Sequence, residues 1–179
     1  MIIWRGDTHF GHANVIKHDV RPFENVEEMD RYLIEAWNSR VTDNDDVYII
    51  GDFTFRNVKS VRWYAEQLNG HKHLILGNHD MLKPEDVQVF DSIEKMMHVT
   101  DRLCGEKAEL CLCHYPIAEY NGYYKGHYHI YGHIHNNKND TYEFMSKYRP
   151  RALNAGCMIN GYMPVTLNEL AENNERFRK

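Results

Sequence analysis

Five short apolar runs, each followed by polar residues able to bind metal, constrain this 179-residue chain more than any other feature. In four of them a glycine precedes the polar residue, as where Val47–Ile50 leads through Gly51 to Asp52. The polar residues that follow the five runs are Asp7 with His9, Asp52, Asn78 with His79 and Asp80, His114, and His133 with His135. Because α/β folds place ligands at the carboxyl ends of their strands, these residues predict one site at one edge of a sheet.

The segments between the first runs predict helices that cover such a sheet. Asn25, followed three residues later by Glu28, is typical of a helix start, and the apolar stripe behind it predicts a helix to about Ser39. A second apolar stripe begins at Val61 and closes at the helix-stop pair Asn69-Gly70. Strands that alternate with helices favour the α/β class over an all-β fold.

The pattern is less regular after residue 95, where it predicts strands near 96–100, 109–113, 129–132 and 152–154. Thr166, followed three residues later by Glu169, predicts the cap of a short final helix. The charged tail from Glu172 is expected to fray.

Length and charge limit the class of protein. A chain of 179 residues matches one domain, over residues 1–179, and its net charge of -5 argues against nucleic acid as a partner. Its apolar runs are too short to span a membrane, and the residues after Met1 lack the pattern of a signal peptide. We therefore expect a cytoplasmic protein that acts on a small substrate.

The donor types at the strand ends indicate a catalytic metal site. Carboxylate, amide and imidazole groups suit divalent Mn, Fe, Co, Ni or Zn better than a structural zinc knot. Six candidate ligands beyond Asp52 are too many for one tetrahedral ion, which predicts two ions that share a carboxylate. Two such ions can hold a hydroxide between them and stabilise both the attacking and the leaving oxygen when a phosphoryl group is displaced in line. Hydrolysis of a phosphate ester is the predicted reaction.

The order of these motifs identifies a family resemblance. The motifs are Asp7-x-His9, Gly51-Asp52, Gly77-Asn78-His79-Asp80, His114 and Gly132-His133-x-His135. Together they resemble the calcineurin-like metallophosphoesterases over residues 1–135, and Asn154-Ala155-Gly156 with Pro164-Val165 resembles the closing segment of the small bacterial and phage members. The resemblance implies a four-layer α/β/β/α sandwich of the metallo-dependent phosphatase type, with the metal site at the C-terminal edges of the strands.

The resemblance also implies a role for each residue. One ion is held by Asp7, His9 and His135, the other by Asn78, His114 and His133, and Asp52 bridges them. His79 is implied to assist the leaving group while a metal-bridging hydroxide attacks a phosphomonoester or phosphodiester, and Asp80 is implied to orient the His79 imidazole. The chain departs from larger relatives at Phe53-Thr54-Phe55, which lacks their second acidic residue, so the substrate preference of protein phosphatases does not transfer.

Some residues outside the motifs have open roles. Arg21, Arg56 and Tyr115 are candidates to bind substrate phosphate, with solvated or ion-paired surface groups as the alternative. His12 and His127 are the two further histidines to follow. The tyrosine-rich segment 120–131 predicts either a packed strand and loop or a loop that stacks a ring beside the site.

Two other functions remain as alternatives. A non-catalytic protein-interaction scaffold of the same fold normally loses metal ligands, and none is lost here. A nuclease normally has a basic groove or an additional domain, and a chain of this length and charge offers neither sign.

Overall fold

Two four-stranded sheets form the centre of the protein in the computed structural model, which describes residues 1–55 and 59–179. The first sheet is parallel, with neighbouring strands β1 (Ile2–Arg5), β2 (Asp46–Ile50), β3 (His71–Ile75) and β4 (Ser92–Glu94). The second sheet contains β5 (Met96–Leu103), β6 (Glu106–Cys113), β7 (Tyr128–Tyr131) and β8 (Ala152–Asn154). In it β5 pairs antiparallel with β6, and the other pairs are parallel. The α/β class is confirmed.

Five α-helices accompany the sheets in the described part of the chain. They are α1 (Ala13–His18), α2 (Val26–Asn38), α3 (Val61–Ala65), α4 (Asp140–Tyr148) and α5 (Leu167–Arg178). The predicted start of α2 is confirmed, because the Asn25 side chain accepts a hydrogen bond from the Glu28 backbone N–H at 2.9 Å. The helix from Val61 is shorter than its apolar stripe, although the predicted stop at Gly70 has a left-handed φ of 86°.

The last helix differs from the prediction in its length. Thr166 and Glu169 form the predicted capping box, but the helix continues to Arg178 and does not fray from Glu172. The buried Asn174 side chain explains the difference, since it donates to the Asn154 carbonyl oxygen at 2.9 Å and accepts from the Asn154 N–H at 2.8 Å. These bonds attach the polar half of α5 to the end of β8.

Three apolar clusters hold the helices and sheets together. In the first, Leu33 and Trp37 of α2 and Tyr64 of α3 pack with residues of the first sheet. The second lies between the sheets, where Trp4, Ile50 and Ile75 meet Leu110, Leu112 and Ile130, and the third joins Met145 of α4 to Tyr131 and Ala152. Strands buried on both faces read as continuous apolar runs, and each large buried side chain contributes ~1.5–3 kcal/mol to stability.

No helix in the described part of the chain combines the length and apolar character needed to cross a membrane.

Candidate metal centre

The parallel register of the first sheet brings three strand ends to one edge. β1, β2 and β3 are neighbours, and β2 and β3 stay in register to Ile50 and Ile75, the last residues of each. The segments that leave these ends carry Asp7, Asp52 and Asn78. The sequence alone predicts this meeting of strand ends because parallel strands share their carboxyl edge.

The second sheet contributes its histidines at the same place. The Gly132 N–H donates to the His114 carbonyl oxygen at 2.9 Å, so the segments after β6 and β7 lie side by side. The His133 N–H donates to Asp7 Oδ1 at 3.0 Å and links this edge to the first sheet. Residues from both sheets therefore face one cleft.

The first group of donors is Asp7, His9, Asp52 and His135, whose ligand atoms all lie within 4.8 Å of one another. His9 Nε2 lies 3.1 Å from His135 Nε2 and 3.5 Å from Asp52 Oδ2. His135 Nε2 is 3.9 Å from Asp7 Oδ1. Asp7, His9 and Asp52 are buried, and His135 is half-buried. This group can hold a divalent metal ion.

A second group adjoins the first and contains Asn78, His114 and His133. Asn78 Oδ1 lies 3.2 Å from His114 Nε2 and 2.9 Å from His133 Nδ1. His114 Nδ1 donates to the Ile50 carbonyl oxygen at 2.9 Å, which leaves Nε2 facing the group. Asp52 Oδ2 is 3.5 Å from His114 Nε2, the same distance as from His9 Nε2. One carboxylate oxygen thus lies between the two groups.

The bonding state of the buried donors fits a bound cation. Among the described residues, Asp7 Oδ2 and His9 Nδ1 are buried and have no hydrogen-bond partner. A buried polar atom without a partner is costly, and a cation beside the Asp7 oxygen removes that cost. Oxygen and imidazole donors in one cluster match a borderline divalent ion.

The surroundings also set the protonation states. Burial opposes ionisation of Asp52, but the hydrogen bond and charge of His114 outweigh it and lower the pKa of Asp52 to about 2. Burial lowers the pKa of His9 to about 2. Burial also disfavours the charged form of His114, yet Asp52 and Asp7 outweigh it and raise the pKa of His114 to about 9. Ionised Asp52 and neutral His9 are the forms able to bind a metal, and a metal bound at His114 Nε2 would have to displace the proton there.

Backbone strain is concentrated at the same residues. Eight non-glycine residues in the described part of the chain have positive φ. Five of them are predicted ligands, namely Asp7, His9, Asp52, His133 and His135, with φ between 50° and 70°. Such a conformation costs roughly 1–3 kcal/mol per residue and occurs mainly where a functional site requires it.

The glycines before two of the ligands leave space for other ligands. A side-chain carbon at Gly77 would collide with Asp52 Oδ1 and lie 2.6 Å from the Asp52 backbone nitrogen. A side-chain carbon at Gly51, whose φ is 74°, would collide with the His114 imidazole. The repeated glycine in the motifs therefore reflects close approach of the strand ends.

His79 lines the cleft, whereas Asp80 has a different role from the predicted one. The cleft has a volume of about 560 Å³ and includes His9, His79, His133 and His135 in its wall. The Asp80 carboxylate accepts three backbone hydrogen bonds of 2.8 Å, from the N–H groups of Asp52, Phe53 and Gly77. Within the described residues no hydrogen bond joins Asp80 to the His79 imidazole, and the carboxylate instead fixes the loops after β2 and β3.

Sequence reasoning missed Asp19 and left the role of Arg21 open. Asp19 Oδ1 accepts a hydrogen bond of 2.7 Å from His135 Nδ1, and its Oδ2 pairs with Arg21 at 3.0 Å. Arg21 is buried and also donates to the backbone oxygens of Asp7 and Thr8 at 3.0 and 2.9 Å. It supports the strained loop after β1, so of the two roles left open for Arg21 the structure shows the ion pair, in the interior and not at the surface.

We expect Asp19→Asn to weaken binding of a divalent ion by about 10- to 100-fold, because the charged partner that orients His135 is lost. Calorimetric titration of the metal-free protein with Mn²⁺ measures the change. Asp91→Asn is the matched control, since Asp91 forms an exposed carboxylate–imidazole pair with His71 at 3.1 Å. Unchanged affinity in Asp19→Asn would rule out an orienting role for Asp19.

The remaining candidates are divided between the cleft and other places. His12 lines the cleft, with its ring stacked on Phe55 at 3.8 Å, and burial lowers the pKa of His12 to about 4. The Tyr115 ring lies 4.7 Å from that of His133, beside the second group. His127 is not in the lining of the cleft, and Arg56 lies outside the described residues.

Comparisons with known proteins identify relatives. No protein-family model matches the chain. The uncharacterized protein MJ1445 of Methanocaldococcus jannaschii is 37% identical over 164 residues, which cover 90% of this chain and 84% of that protein. The gene 66 protein of Mycobacterium phage L5 is 29% identical over 130 residues, 63% of this chain and 61% of that protein. The crystal structure of AQ665 from Aquifex aeolicus, a protein of unknown function, matches with a TM-score of 0.67 and 25% identity, covering 92% of this chain and 94% of that one.

Proposed function

We propose that this chain, which belongs to the family of the Methanocaldococcus jannaschii protein MJ1445, is a metal-dependent hydrolase that cleaves phosphate esters at a centre of two metal ions. The position of Asp52 carries the proposal. Its Oδ2 atom lies 3.5 Å from a histidine nitrogen of each donor group, His9 Nε2 on one side and His114 Nε2 on the other. A carboxylate placed in this way suits two cations better than one.

The arrangement of the apolar clusters supports the finer fold proposal. Helices α2 and α3 share one cluster with the first sheet, the two sheets share the next, and α4 shares the third with the second sheet. That order is expected of a four-layer α/β/β/α sandwich of the metallo-dependent phosphatase type.

The ligands of the proposed centre divide into two sets around Asp52. The first set is Asp7, His9 and His135, and the second set is Asn78, His114 and His133. Bound there, two divalent ions such as Mn, Fe, Co, Ni or Zn would activate water and clamp the phosphate oxygens. The two carboxylates, Asp7 and Asp52, neutralise only half of the charge on such a pair, so the cleft attracts a phosphate although the whole chain is acidic.

The chain's own residues supply the remaining steps. The His79 backbone N–H donates to Asp52 Oδ1 at 2.9 Å, so the imidazole is placed in the cleft beside the proposed bridging carboxylate. From there we propose that His79 gives a proton to the leaving oxygen of the ester. Asp80 keeps Asp52 and Gly77 in place because its carboxylate accepts hydrogen bonds from their backbone N–H groups.

The direct test is metal-dependent turnover. Protein stripped of metal by a chelator is expected to be inactive, and added Mn²⁺ should restore cleavage of an aryl phosphate monoester or a bis-aryl phosphodiester. Heat-denatured protein with the same Mn²⁺ is the control for cleavage by the ion alone. If native protein cleaves neither ester with Mn, Fe, Co, Ni or Zn, the hydrolase proposal is wrong and a non-catalytic protein-interaction scaffold becomes the better interpretation.

A further inference from the structure

A second cavity, formed beside the tyrosine-rich segment 120–131, shares no lining residue with the metal cleft. It has a volume of about 490 Å³, within the usual range for small-molecule sites. Its lining consists of Tyr120, Tyr123, Tyr124, Pro150 and Arg151. The structure shows the predicted packed strand and loop, with β7 in the second sheet and Tyr120 buried, and no residue of this segment lines the metal cleft.

The inner wall of this cavity is held in place by its neighbours. Tyr120 is buried, its hydroxyl donates to the His127 carbonyl oxygen at 3.0 Å, and its ring stacks on His129 at 4.9 Å. Tyr123 packs edge-on against Tyr120 at 5.5 Å, and the Arg149 guanidinium lies 4.7 Å above the Tyr123 ring. The aromatic wall is thus fixed before any ligand arrives.

The outer wall is an aromatic ring left open to solvent. Tyr124 is 84% exposed, although aromatic side chains gain stability from burial. Its hydroxyl donates to Glu119 Oε1 at 2.9 Å and its ring contacts Tyr123 at 5.0 Å, so the orientation of the exposed face is constrained. An exposed, oriented ring is the kind of surface on which a nucleobase stacks.

The lining of the cavity includes one cation, Arg151. The exposed guanidinium of Arg151 has no hydrogen bond or ion pair with residues 1–55 or 59–179, and it lies 5.9 Å from the centre of the Tyr128 ring. Gly126, with φ of 80°, leaves space for it, because a side-chain carbon there would collide with the guanidinium. Lys125 adds positive charge in the adjacent turn. A guanidinium with open donors binds phosphate in a bidentate manner.

We propose that this cavity binds a nucleoside phosphate, with the base stacked on Tyr124 and the phosphate paired with Arg151. The exposed Tyr124 ring offers a face for the base to stack on. The Arg151 guanidinium, which has no hydrogen bond or ion pair with the described residues, offers its N–H donors to the phosphate. The site is separate from the metal centre and does not depend on the hydrolase proposal, because its lining contains none of the proposed metal ligands.

Calorimetric titration of metal-free protein with adenosine 5′-monophosphate, adenosine and inorganic phosphate tests the proposal. The monophosphate should bind more tightly than either part alone. Tyr124→Ala should weaken binding of both the nucleotide and the nucleoside by at least about fivefold, as loss of one stacking contact predicts, and Tyr124→Phe should not. Arg151→Gln should reduce nucleotide affinity to that of adenosine.

Both substituted side chains are exposed, so the variants are expected to fold like the parent, and their melting temperatures check this. Substitution His133→Ala in the metal cleft should leave nucleotide binding unchanged. Parent protein that binds no nucleotide, Tyr124→Ala and Arg151→Gln that both bind like the parent, or binding lost in His133→Ala would each overturn the proposal.

Discussion

Asp52→Asn should hold one divalent ion at most and lose phosphoesterase activity by about 10²–10³-fold or more, the loss typical of removing one group that stabilises charge in a transition state. The Asp52 oxygen between His9 and His114 would lose its negative charge, which leaves the two cation positions to repel each other. The amide oxygen of asparagine can still accept the His79 N–H, so the loop is expected to stay in place. Metal stoichiometry after dialysis and kcat measure the two effects.

Asp46→Asn is the matched control for this substitution. Asp46 begins β2, the strand that ends just before Asp52, and its carboxylate lies 3.1 Å from His73 Nε2. The control should bind two ions and keep the activity of the parent. An Asp52→Asn protein that still holds two ions would remove the bridging assignment.

His79→Ala should keep both ions and lose kcat by about 10²–10⁴-fold, the usual contribution of a general acid. The loss should be large for esters of alkyl alcohols and small for esters of nitrophenol, because a nitrophenolate leaves without a proton. Comparing kcat for the two classes of ester, beside metal stoichiometry, measures the role of the imidazole.

The control for this prediction is His71→Ala, which removes an exposed imidazole on β3 that pairs with Asp91. It should leave metal content and kcat unchanged. Loss of both ions in His79→Ala would show that His79 is a ligand, and an equal loss of kcat for both classes of ester would show that it is not the acid.

The strand-end residues could be predicted because their signal is local. A glycine and a polar residue directly after an apolar run mark a strand end, and parallel pairing brings such ends together whatever lies between them. The same signal located Asp52, Asn78 and His133, which the structure brings together in the two adjoining donor groups. The strand at the edge of the first sheet, β4, could not be predicted in this way. It has only three residues, two of them polar, so it shows no apolar run.

The supporting residues could not be predicted because their partners are distant or belong to the backbone. Asp19 contacts His135, 116 positions away, and nothing in the residues around Asp19 indicates that partner. The family resemblance implied that Asp80 orients the His79 imidazole. The carboxylate instead accepts backbone N–H groups, which the sequence does not distinguish from one position to the next.

The left-handed backbone at Asp7, His9, Asp52, His133 and His135 affects how such a chain can change by mutation. Glycine adopts these φ values without strain, so replacement of a ligand by glycine relieves ~1–2 kcal/mol of backbone energy while it removes a metal donor. Such a substitution would stabilise the fold and weaken the site, the usual conflict between stability and function. The strain at these five positions is therefore explained by the donor side chains they carry and not by the stability of the fold.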